Sequence, residues 1–103
     1  MSIHSHVANQ KATITLVGRF DFTLHKEFRD TTQRLLQENE LSEIEINLRD
    51  VDYLDSSALG ILLLLKDRAA QKGATIGIVG CRENIRQILE IANFNKLFSV
   101  SSV

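Results

Sequence analysis

Between residues 58 and 65 the chain reads Ala-Leu-Gly-Ile-Leu-Leu-Leu-Leu, apolar at every position. A helix built from such a run has no solvent face, so the run predicts a helix buried on more than one side. It is too short for a membrane span, which needs roughly 18 apolar residues. The helix is expected to open at Asp55 or Ser56 and to run to about Gln71, with Gly73 as its C′ residue. Something must cover it, and the remaining sequence has to supply the cover.

That cover reads as a sheet. Lys11 to Val17 places Ala12, Ile14 and Leu16 on one face and Thr13, Thr15 and Val17 on the other, the period of a strand. Ile3 to Val7 is a weaker strand, joined to it by a hairpin turn at Ala8-Asn9-Gln10. Gly18 to Asp21 closes this unit as a loop. Leu24, Phe28, Thr31, Leu35 and Leu36 recur at helical spacing up to Glu38, with Thr23 as the expected N-cap. Glu43 to Leu48 alternates again as a strand, and Arg49 to Asp55 comes next as a carboxylate-rich loop. Ala74 to Val79 is a short strand. Arg82 to Ala92 is a third helix with Ile85, Ile88, Leu89 and Ala92 inward, and Leu97 to Val100 reads as a helical turn or a strand. The expected fold class is α/β, with residues 1–103 as one domain. A mixed sheet of four or five strands is covered by about three helices, with right-handed crossovers between parallel strands.

Composition removes several function classes. Twelve basic residues face 13 acidic ones, for a net charge of −1. No basic surface for nucleic acid or an anionic membrane is expected from that balance. The one cysteine, Cys81, cannot form an internal disulfide, and the first residues lack the pattern of a signal peptide. The expected location is the cytoplasm.

The chemistry concentrates in Asp52-Tyr53-Leu54-Asp55-Ser56-Ser57-Ala58-Leu59-Gly60. Two hydroxyls stand where a strand–loop unit meets the start of a buried helix. That end carries unpaired N–H groups and roughly half a positive charge, so it favours an anion such as a phosphate ester. The plainer reading is that Asp55 or Ser56 is an N-cap and nothing more.

Val51 to Leu62 resembles the signature of STAS domains, the anti-sigma factor antagonist family: an aspartate, a serine, a second hydroxyl, a small residue, leucine and glycine, then an apolar helix. Leu16-Val17-Gly18-Arg19-Phe20-Asp21 is similar to the family's second landmark, and Ile44 to Leu48 and Gly73-Ala74 fall where the family has them. Ala58 departs from a frequent glycine. The resemblance implies a non-enzymatic switch without a cofactor. Ser56 is implied as the phosphoacceptor, with Asp21 and Asp55 shaping the site, Ser57 as the weaker candidate, and Gly18 and Gly60 allowing close backbone approach. The implied partners are a serine kinase of the histidine-kinase-like ATPase type, a PP2C-type phosphatase, and a target protein bound by the unphosphorylated form. An alternative within the family is a non-cycling accessory subunit of a membrane lipid transporter.

Other residues invite weaker readings. His4 and His6 alternate on the possible first strand and put two imidazoles on one face, but no third ligand is evident, so no metal site is expected. Cys81 reads as a buried structural thiol. His25 with Ser56 and Asp21 would be a hydrolase triad, yet the Gly-x-Ser-x-Gly turn is absent. Asp50, Asp52 and Asp55 read as a solvated acidic loop in preference to a Mg²⁺ site. Gly77 and Gly80 make no dinucleotide fingerprint. The edge of the apolar run, with Phe94, Leu97 and Phe98, is expected to extend a partner surface.

Overall fold

Asn9 and Gln10 both adopt left-handed backbone (φ 53° and 67°), which makes a two-residue turn whose twist suits a hairpin. It joins β1 (Ser2–Ala8) to β2 (Lys11–Phe20) in an unbroken antiparallel register, from Ser2 opposite Val17 to Ala8 opposite Lys11. The computed structural model describes residues 2–102. After β2 the chain alternates: α1 (His25–Glu38), β3 (Glu43–Leu54), α2 (Ser56–Gln71), β4 (Thr75–Cys81), α3 (Glu83–Ile91) and β5 (Ser99–Ser102). Short 3-10 turns at Phe22–Leu24 and Phe94–Lys96 precede α1 and β5.

The five strands lie in sequence order, with β2 to β5 mutually parallel. Right-handed crossovers in a sequentially ordered sheet put every connecting helix on one face. The side chains agree. Ala12, Ile14, Leu16, Ile44, Ile46, Leu48 and Ile78 are buried under the helices, whereas Thr13, Thr15, Glu45 and Asn47 are only half-buried on the other face. There Lys11 bridges Glu45 (2.8 Å) and Glu43 (3.7 Å).

The all-apolar helix divides into faces after all. Ala58, Leu62, Leu65 and Ala69 are buried, but Leu63 and Leu64 are 37 % and 44 % exposed. Burial on more than one side holds, because α2 packs on the sheet and along α1; the expectation of no solvent face is the part corrected. The helix ends as expected at Gly73 (φ 76°). Gly73 N–H donates to Ala70 C=O and Ala74 N–H to Ala69 C=O, the double bond of a Schellman close.

Other boundaries also move. Thr32, not Thr31, is the buried threonine of α1, its hydroxyl satisfied by Arg29 C=O at 3.1 Å. Asp21 caps the turn before α1 in place of Thr23. Phe94 and Phe98 stack on each other in the core, with centroids 5.1 Å apart, so only Leu97 of that trio is available at the surface. Cys81 is buried as expected, and its desolvation pushes the thiol up to about 11.

Candidate functional site at the mouth of the second helix

The segment that reads as a loop in sequence, Arg49 to Asp55, is strand up to Leu54. Two register shifts against β2 make this possible, one between Thr15 and Val17 and one between Gly18 and Arg19. Gly18 has φ 100°, a conformation that a side chain disfavours, and it lets β2 keep pace with its bulged partner. Val51 and Leu54 turn into the core while Asp50, Asp52 and Tyr53 stay outside. Bulges of this kind redirect the chain beyond the strand end. Here both strand ends are drawn together, and Asp55 N–H donates to Phe20 C=O at 3.3 Å.

Asp55 then caps α2. Its Oδ1 accepts the Ala58 N–H at 2.8 Å and the Ser57 hydroxyl at 2.6 Å. Those bonds, the Ser57 hydroxyl foremost, hold the Asp55 carboxyl below the ordinary carboxylate range, and a bond from Phe22 N–H adds to them. Burial and the charge of Asp21 push the other way. Asp21 is itself lowered, first by the Thr23 hydroxyl and then by the Thr23 N–H at 3.0 Å. The Arg19 guanidinium lies 3.6 Å from it and 4.1 Å above the Tyr53 ring. Ser56 is the first helical residue. It is exposed, and its hydroxyl makes no side-chain hydrogen bond among the described residues.

The family model described as "Mlab, STAS domain" matches residues 4–99. The chain belongs to the STAS-domain family. It is 45 % identical over 92 residues to the STAS-domain containing protein PA14_20770 of Pseudomonas aeruginosa (strain UCBPP-PA14), covering 89 % of each chain. In fold this STAS domain matches the anti-sigma factor antagonist SpoIIAA in its unphosphorylated form, with a TM-score of 0.85 at 13 % identity over 98 % of this chain and 89 % of that one. The Bacillus cell fate determinant SpoIIAA in the phosphorylated form matches with a TM-score of 0.76 at 14 % identity, over 98 % and 92 % of the two chains.

The STAS scaffold brings Asp21 within reach of Asp55 and its partner Ser57, and Ser56 is the exposed residue between Asp55 and Ser57. Gly60 does not act as expected: a Cβ built there meets nothing within 4 Å outside its own helix, so no other element approaches it among the described residues. Gly60→Ala is therefore expected to stabilise the fold by about 1 kcal/mol, the helix penalty of glycine. Thermal denaturation should show a rise of about 4–8 °C. His25 is not posed as a base for Ser56. Its Nε2 is buried without a hydrogen-bond partner among the described residues, and Asp21 is taken by Thr23 and Arg19. Three residues near the site escape a reading of the sequence: Phe22, 70 % exposed, and the stacked pair Arg19 and Tyr53. Their one sequence signal is position, since Phe22 adjoins Asp21, Arg19 adjoins Gly18 and Tyr53 stands two residues before Asp55.

The cap sets a stability prediction. Asp55→Ala should cost about 1–2 kcal/mol at neutral pH, read by denaturant unfolding. Asp55→Asn keeps an acceptor but not the titration. Because the folded carboxyl lies below its unfolded value of about 3.9, its contribution is complete above that pH and fades as pH falls through the folded value. The wild type should thus lose its advantage over Asp55→Asn below about pH 4. A parallel decline of the two would overturn this.

Proposed function

We propose that this STAS domain is a phosphorylation-controlled interaction switch that works in the cytoplasm and performs no catalytic step of its own. Ser56 accepts the phosphate from a serine kinase of the histidine-kinase-like ATPase type, and a PP2C-type phosphatase removes it. The unphosphorylated form binds a regulated target protein. The observation that carries this reading is the Ser56 hydroxyl: exposed, not engaged by any side chain among the described residues, and fixed by a capped helix start. Helix N–H groups behind it suit a phosphate ester. Asp21 and Asp55 remain charged beside it because their own hydrogen bonds hold them so. Exposed Phe22 and Tyr53 adjoin the site, and Leu63 continues along the same side of α2 as Ser56, two helical turns on. Such a patch supplies apolar area for a docked protein. Ser57 is a poorer acceptor, since its hydroxyl is already donated to Asp55. That SpoIIAA exists in both unphosphorylated and phosphorylated forms supports the same reading.

The deciding measurement is intact-mass spectrometry of the chain from its native host, with fragmentation to map the modified residue. A phosphate-sized increment on Ser56, lost on phosphatase treatment, is expected. A chain found only unmodified under every growth condition, or modified elsewhere, would overturn the assignment.

A further inference from the structure

The first strand is an unguarded edge. β1 pairs with β2 on one side, and the strand order leaves its other side open. Edges are ordinarily blunted by lysine, glutamate, proline or a bulge. The strand Ser-Ile-His-Ser-His-Val-Ala has none of these over its 7 residues. It also reads nearly alike in both directions about Ser5: His4 mirrors His6, Ile3 mirrors Val7, and Ser2 mirrors Ala8.

The hairpin decides which backbone groups are free. A two-residue turn closes on a pair that exchanges both hydrogen bonds, here Ala8 and Lys11. Antiparallel pairing alternates from there, so His4, His6 and Ala8 spend their N–H and C=O groups on β2. Those of Ile3, Ser5 and Val7 point outward. A second copy laid antiparallel with Ser5 on the two-fold axis meets these same groups: Ile3 with Val7 of the partner subunit, Ser5 with Ser5 of the partner subunit. About six N–H···O bonds result. His4 then stands opposite His6 of the partner subunit in a non-hydrogen-bonded pair, the closer kind, with Cα atoms about 4.5 Å apart.

Both imidazoles lie exposed on the sheet face that the helices leave bare. The pair recurs across the axis as His6 with His4 of the partner subunit, so four imidazoles share one face, the number a tetrahedral divalent transition-metal site takes. The nearby cation, Lys11, is already paired with Glu45 and Glu43. One copy supplies too few ligands, since no group of three or more metal-ligating residues occurs among the described residues. We propose that two copies pair through their β1 edges about Ser5 and together build a divalent transition-metal site from His4 and His6 of each. A specific dimer ordinarily buries roughly 1,200 Å² or more. A single edge of this length is short for that, so the assembly needs the metal in addition to the strand pairing.

Sedimentation velocity of the metal-stripped full chain, with and without zinc chloride, tests this. A monomer without zinc and a dimer with it, reversed by chelator, is the expected result. The exposed double substitution His4→Ala/His6→Ala should stay monomeric in zinc. So should Ser5→Pro, which removes an N–H that β2 does not use and keeps both histidines. Circular dichroism confirms folding of each. A wild type that stays monomeric in zinc, or a zinc dimer that survives the histidine substitutions, would overturn the proposal.

Discussion

Ser56→Asp should bind the target protein about a hundredfold more weakly than Ser56→Ala, while both unfold within a few degrees of the wild type. The two halves of that expectation come from the two surroundings of one atom. Toward the fold, Ser56 faces a helix start whose N–H groups favour negative charge by about 0.3–1 kcal/mol. The neighbouring Asp55 and Asp21 oppose it, but both are already satisfied by Ser57, Ala58, Thr23 and Arg19. The fold therefore has little to gain or lose. Toward a partner the balance differs. A surface fitted to a neutral hydroxyl among Phe22, Tyr53 and Leu63 must desolvate the added charge and receives no compensating cation. A penalty of about 3 kcal/mol is within reach of one buried unpaired charge, and it corresponds to more than a hundredfold in affinity. A phosphoserine carries about −1.5 to −2 charge, so the modified protein should bind no better than the aspartate variant. Calorimetric titration of the two variants with the target protein measures the difference. Equal affinities would mean that the switch does not act through charge at this interface.

The order of strands and helices is legible because hydrophobic period is a local signal. Ile14 and Leu16, or Ile44 and Ile46, mark a strand whatever the rest of the chain does. Ser56 is legible too, from two hydroxyls placed before an apolar run. The remainder depends on pairing. Arg49 to Asp55 reads as a loop because its carboxylates break the alternation; its extended form arises only when β2 lies beside it and two bulges absorb the mismatch. Asp21 in place of Thr23 as the cap depends on where that strand ends. Phe22 and Phe94 show the limit most clearly. Both are phenylalanines after a polar residue near an element boundary, yet one is 70 % exposed and the other buried. Nothing in composition separates them, because the difference lies in whether a neighbouring element covers the turn.

The same limit makes two adjacent leucines the sharpest test of how α2 divides its labour. Leu62 is fully buried under the helix layer, and Leu63 is 37 % exposed beside the proposed docking patch. Leu62→Ala should destabilise by about 2–5 kcal/mol, from lost transfer energy plus the cavity that remains. That is a large share of the roughly 5–15 kcal/mol available to a typical domain. Chemical denaturation should show a lower midpoint with an unchanged slope. Leu63→Ala, by contrast, opens no cavity and should shift stability by no more than about 0.5 kcal/mol. Its loss should appear in target binding, about tenfold for an interface leucine worth roughly 1–2 kcal/mol. Leu62→Ala protein that remains folded at low temperature should still bind, because the substitution leaves the surface beside Ser56 chemically unchanged. If Leu63→Ala cost stability and left binding intact, α2 would be packing with both faces, and the surface that Ser56 controls would have to lie on the Phe22 and Tyr53 side alone.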